Sequence, residues 1–248
     1  MTGDREEDAH LRGRGFWARA DGAPPRGILG DVPATIIAMA ALFAAIQVLM
    51  ELAPAAVADE WADRFGLSPL RLALGPDGPG GVVGLVGPLA SHIFIHATFT
   101  HLFFNLLWFF VFGTPMARRL RSAWRFWAFF LACGAAGGGF FSLFHLADPT
   151  LLIGASGGVS GLLGGLVRFA FHRPLSRPST AKGVLPLTDR SVLIWSAVVV
   201  AMNASIAIFG AGVGAQEGDI AWQAHVGGYL FGLAAFPLFD PKRCRPTI

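Results

Sequence analysis

Long apolar runs alternate with short charged connections along this chain. Its 35 Asp, Glu, Lys and Arg residues leave six stretches that carry none: 32–50, 78–117, 126–147, 149–167, 191–216 and 220–239. Each is at least 19 residues long, and a helix needs about 20 apolar residues to cross a hydrocarbon core roughly 30 Å thick. The pattern predicts an all-α polytopic membrane protein with six transmembrane helices, at about 33–53, 98–116, 124–147, 155–172, 191–212 and 221–239. The run 78–117 is too long for one span. Its first part, with Gly80, Gly81, Gly84, Gly87 and Pro88, is a poor helix former. It is expected to be loop, within a membrane-associated connection over about 54–97.

The ends of the chain read differently. Residues 1–31 are polar, mixed in charge and rich in Gly, Pro and Arg, as in a flexible tail. Asp4, Glu6, Glu7 and Asp8 argue against a mitochondrial presequence, and the first apolar run starts too late for a usual secretory signal. Residues 241–248 form a second short tail around the six-helix core at 32–240.

Composition and charge fix the setting. At 54% hydrophobic and 14% charged, the chain is not a water-soluble enzyme, a disordered polymer or a nucleic-acid-binding module. Of the 19 Lys and Arg residues, 17 fall in the two tails, in the connections after the second and fourth spans, and, as Arg168, just inside the end of the fourth. Only Arg64 and Arg71 lie on the other side. Positive charge marks the cytoplasmic face, so both tails are expected there, and the net charge of +3 reflects topology rather than a nucleic-acid partner. The Ala- and Gly-rich composition and short tails suggest a bacterial inner membrane.

Three strings then stand out. HATFTHLFFN places His96, His101 and Asn105 at the start of the second span. GASGGVSG places Ser156 and Ser160 at the start of the fourth, and AHVGGYLFG places His225 near the start of the sixth. Even-numbered spans run from outside to inside, so all three strings lie in the outer part of the membrane. At 1.5 Å of rise per residue, His225 sits about 6 Å below the start of its span and Asn105 about 10 Å below.

Polar side chains inside a span are costly and mark function by default. A serine hydroxyl becomes a nucleophile when a base takes its proton, and imidazole is the usual base. Ser156 and His225 can form such a pair. Small-residue stripes at spacing four (Ser156, Ser160, Gly164; Gly157, Gly161, Gly165; Ala224, Gly228, Gly232) allow the close helix approach the pair requires. Ser156 at a helix start has unsatisfied backbone N–H groups beside it. His101 and Asn105, one turn apart, add donors for an oxyanion. His96, near the interface, can orient a neighbour or face water.

Blander readings compete with these. A lone polar residue in a span is most often interhelical glue, and Gln47 and Asn203 are read that way. Ser156 alone is as easily a packing residue as a nucleophile; the combination of serine, two histidines and asparagine at one depth is not. Residues 154–158 fit G-x-S-x-G, but no strand precedes them, so the soluble-hydrolase elbow does not apply. Cys133 lies inside a span and Cys244 in a tail, no HExxH or phosphate loop occurs, and no metal is expected. Buried carboxylates of the kind a proton-coupled transporter uses are missing from the spans.

In these motifs the sequence resembles the rhomboid family of intramembrane serine proteases, over about residues 32–240. The resemblance rests on His96, His101 and Asn105, on Gly154-Ala155-Ser156-Gly157, and on Ala224-His225 followed by Gly228 and Gly232. It implies that Ser156 is the nucleophile and His225 the general base, as a dyad without an acid. His101, Asn105 and the Ser156 backbone N–H would form the oxyanion hole, with Gly154 beside them; His96, Gly157, Gly228 and Gly232 would support. The implied substrates are transmembrane proteins, cut in or near their helices, with the lipid bilayer as the other partner and no cofactor.

Two departures are visible. A Trp-Arg pair common in the family's first long loop is replaced by Gly87-Pro88, and the aromatic residue four after the nucleophile is replaced by Ser160. The histidine is then expected to be held less firmly, or by another ring such as Phe140 or Phe141. The rival readings are a catalytically silent rhomboid-like binder of membrane proteins and, from another class, a small-solute transporter. Paired repeats that a transporter often carries are not seen.

Overall fold

Apolar runs fold as helices because each backbone N–H and C=O then finds its partner within the segment. The structure, a computed structural model, describes residues 32–78, 80–146, 148–170, 183–209 and 221–241. Among these the regular elements are all helical. α1 (Ala34–Leu52) is followed by α2 (Ala55–Phe65), α3 (Pro69–Leu74) and α4 (Gly81–Ser91). Then come α5 (Phe99–Leu120), α6 (Ala123–Ser142), α7 (Ser156–Val167), α8 (Arg190–Phe209) and α9 (Trp222–Phe239). The predicted tails at 1–31 and, apart from Pro241, at 241–248 lie outside the described residues.

Of these, α1 and α5 are both long and apolar enough to cross a membrane by length and composition; α4 with its 3₁₀ extension, α7 and α8 are shorter apolar helices. The expected loop at 78–97 is corrected: Gly81–Ser91 is helical, with Pro88 inside it. Helix propensity is a weak prior that packing overrides, and this glycine-rich segment lies against α6. Gly80 starts it at φ +83, a conformation glycine adopts at little cost.

Some boundaries also move. α6 stops at Ser142 rather than 147, where Ser142 Oγ donates to the Gly138 carbonyl (2.9 Å) and Leu143 begins a series of turns. α7 stops at Val167 instead of 172, and Arg168 N–H closes the end on Gly165 in a tighter turn. α5 continues to Leu120, carrying Arg118 and Arg119 in its last turn, where cations suit the helix dipole.

The centre is a three-helix contact of α7 with α6 and α9. A methyl group on Gly228 would lie 2.0 Å from the Gly157 carbonyl oxygen, and one on Gly232 2.0 Å from that of Gly161. The predicted stripes therefore meet, but not along their whole length. Residues four apart drift about 40° round a helix of 3.6 residues per turn. After two steps the α9 contact passes from the Gly165 line to Gly164, which faces Tyr229, while Gly165 turns to Met116 and Phe129. Phenylalanines fill the space between α1, α5 and α6: Phe43, Phe109, Phe126 and Phe130 are fully buried, and their rings meet edge-on, tilted or stacked.

Candidate active site

Ser156 is the first residue of α7 and half-buried. The chain reaches it through an isolated bridge between Leu67 and Leu152, with two bonds of 2.9 Å, and then through Gly154 at φ +115. Gly154 N–H donates to the His92 carbonyl at 2.9 Å. Ala155 occupies the cap position and offers no side-chain acceptor. The first N–H groups of α7 thus lack the side-chain cap that serine, threonine or aspartate supplies elsewhere, which leaves an anion-attracting helix start beside Ser156.

His101 lies against this turn. Thr98 caps α5 by accepting from His101 N–H (3.1 Å), which fixes the ring's starting point. Ala97 N–H donates to His101 Nδ1 at 3.4 Å, so in the neutral imidazole the proton sits on Nε2. A methyl group on Gly154 would lie 2.8 Å from that same Nε2 and from Cε1. The turn before Ser156 therefore holds a ring N–H at close quarters only because residue 154 has no side chain. Asn105 is buried one turn below; its Nδ2 donates to the His101 carbonyl (3.0 Å), and Oδ1 has no partner among the described residues.

His96 is buried and does not face water. Its Nε2 accepts from Ala155 N–H at 3.4 Å, and its ring meets that of His101 edge-on at 5.2 Å between centroids. Burial, aided by the nearby His101, pushes the His96 pKa down to about 3. The ring stays neutral and keeps Nε2 as an acceptor. Nδ1, near the Phe94 carbonyl, makes no hydrogen bond of sound geometry. His96 thus positions the residue before Ser156, the first of the two roles the sequence left open.

His225 stands in the first turn of α9, half-buried and within electrostatic reach of His101. Gly157 lies against the Ala224 carbonyl and Gly228, so the neighbours of Ser156 and His225 are in direct contact. Among the described residues no hydrogen bond joins Ser156 to His225; such bonds are often long before substrate binds and tighten around it. Ser160, one turn on, is also half-buried.

The rings expected over His225 are placed elsewhere. Phe141 stacks on His145 (4.0 Å, 14°), and Phe140 packs over Gly227 and against Phe144. Among the described residues neither stacks on His225. Gln47 and Asn203 are not interhelical glue either: Gln47 donates to Glu51 (3.0 Å) and Asn203 to the Val199 carbonyl (2.9 Å), each within its own helix. His92 escaped the sequence reading. It is buried, and its Nδ1 lies 2.8 Å from the Pro88 carbonyl while its ring packs over Gly138. Its spacing of four before His96 was the available signal.

A family model described as Rhomboid domain matches residues 85–240 of the chain. A search of curated proteins finds no match.

Proposed function

The chain belongs to the rhomboid family of membrane proteins, and from that premise we propose that it is an intramembrane serine endopeptidase. The family is mostly serine intramembrane proteases and includes inactive members, so membership alone does not decide activity. One observation carries it: the His101 Nε2–H lies against Gly154, two residues before a half-buried serine at an uncapped helix start. A silent binder has no need of a donor there.

In the proposed reaction Ser156 Oγ attacks the scissile carbonyl carbon as His225 takes its proton. The carbonyl oxygen becomes an anion held by His101 Nε2–H, the remaining Asn105 N–H and the Ser156 backbone N–H. His225 passes the proton to the leaving nitrogen, the C–N bond breaks, and an acyl-enzyme ester remains. Water attacks that ester, gives its proton to His225, and Ser156 is released. Helix α7, at 12 residues, is about 18 Å long and shorter than the hydrocarbon core. Its start would then lie below the outer surface, in a cavity that water enters from outside. The substrate helix must unwind locally to present its carbonyl.

The test is cleavage of a labelled transmembrane substrate by purified protein. Ser156→Ala and His225→Ala should each lower kcat by at least about a thousandfold, and His101→Ala by about a hundredfold. Ser160→Ala should retain cleavage. If Ser160 is required and Ser156 is not, the nucleophile is misassigned by one turn. If a folded protein cuts no substrate and a serine-reactive probe leaves it unlabelled, the silent binder is the correct reading.

A further inference from the structure

Beside the site lies a cleft of about 300 Å³ between the last turns of α1, one face of α2, and the segments before α5 and α7. Ile95, His96 and Ile153 form its inner wall, and Gln47, Glu51 and Asp59 supply acceptors. Gln47 is only 1% exposed, and its Oε1 has no hydrogen-bond partner among the described residues. A buried acceptor left unpaired costs free energy, so this amide calls for a donor. Glu51 and Asp59 are exposed and stand at the rim, and among the described residues no Lys or Arg lines the cleft. The last turn of α1 also has no basic residue, although its dipole there favours a cation.

We propose that this cleft is a subsite for a lysine or arginine side chain of the substrate. The inference rests on the protease reading above and adds to it a class of substrate. Two carboxylates at the rim, with the amide of Gln47 in the lining, suit a long side chain with a cationic head. Met50, Ile95 and Ile153 give its alkyl stem apolar walls. A compact metal ion is a poorer fit, since among the described residues no three His, Cys, Asp or Glu side chains converge. The cleft shares its wall with the reaction site: Ile153 is three residues before Ser156, and His96 accepts from Ala155 N–H. The recognised residue therefore lies within a few positions of the cut bond, each extended residue adding at most about 3.5 Å of reach.

The experiment compares transmembrane substrates that differ only by Arg, Gln or Glu at each position flanking the cut bond on the outer side. At one position Arg should raise kcat/KM over Gln by about five- to tenfold, and the preference should shrink at high salt, as expected for a partly exposed charge contact. In Glu51→Gln/Asp59→Asn the Arg/Gln ratio should fall to about one. In Glu51→Lys/Asp59→Lys it should invert in favour of Glu, a gain that misfolding cannot produce. Ser156-dependent cleavage with no preference at any position, or a preference that survives both double variants, overturns the subsite and leaves the protease reading standing. Absence of Ser156-dependent cleavage overturns both.

Discussion

Gly154 shows how much of the site hangs on one backbone position. Its φ of +115 is a region that residues with a Cβ rarely adopt, and the methyl of an alanine would meet the His101 ring at 2.8 Å. Strain of this kind costs about 1–3 kcal/mol, and relief requires either the turn or the ring to move. Under the proposed mechanism Gly154→Ala is therefore expected to lower kcat by at least about tenfold, because a displaced oxyanion donor acts on the transition state. KM should change much less. Parallel loss of kcat and binding would instead mean that the turn holds substrate rather than the oxyanion. The sequence reveals His101 and Asn105 through their spacing of four, and Ser156 through its place at a helix start. It does not reveal that His96 holds Ala155 N–H, or that Phe141 belongs to His145. The first contact joins residues 59 apart in the chain, which no local pattern encodes; the second is a spacing of four, whose competition with His225 for the same ring only packing decides.

The helices show the same division between what periodicity encodes and what packing decides. Small residues four apart on 157–161 and 224–232 are legible as a close-contact seam, and the seam exists. The shift to Gly164 is not legible from a spacing of four alone, because it comes from the helical drift. The helix at 81–91 is hidden for a different reason: its glycines and proline oppose helix locally, and its contact with α6 overrides them. The seam allows a paired prediction. A Cβ at residue 232 would meet the Gly161 backbone at 2.0 Å, whereas at Gly139 in α6 it would meet nothing within 4 Å. Gly232→Ala should destabilise the folded protein by at least about 2 kcal/mol, since backbone cannot swing aside as a side chain can. Gly139→Ala should be neutral or stabilising by up to about 1 kcal/mol. Denaturation in a mild detergent, followed with both variants side by side, separates the two. Equal effects would mean that glycine is needed in these helices for backbone freedom rather than for contact.

At the scale of the molecule the two ends of the bundle differ in chemistry. The end opposite the site is closed by Arg119, whose Nε and guanidinium N–H donate to both carboxylate oxygens of Asp240 (3.0 and 2.6 Å). Its guanidinium also lies 5.0 Å over the Phe169 ring. The side chains are 8% and 1% exposed, so the ends of α5 and α9 are joined by a buried pair. Removing one partner from such a pair costs about 3–5 kcal/mol, while replacing both with apolar groups is often tolerated. Asp240→Ala should then lower stability far more than Arg119→Met/Asp240→Leu, as read by thermal unfolding. The same end carries the arginines at 118, 119, 121 and 125, which argues its orientation. By the positive-inside bias, these arginines predict that this end faces the cytoplasm and that the Ser156 face lies outside. Single cysteines in a background lacking Cys244 test this, because Cys133 is fully buried and should stay unlabelled. Glu60→Cys on α2 should react with a membrane-impermeant maleimide in intact cells, and Ala123→Cys at the start of α6 only after permeabilisation. The reverse pattern would turn the site toward the cytoplasm, and the substrate segments open to cleavage would then be cytoplasmic ones.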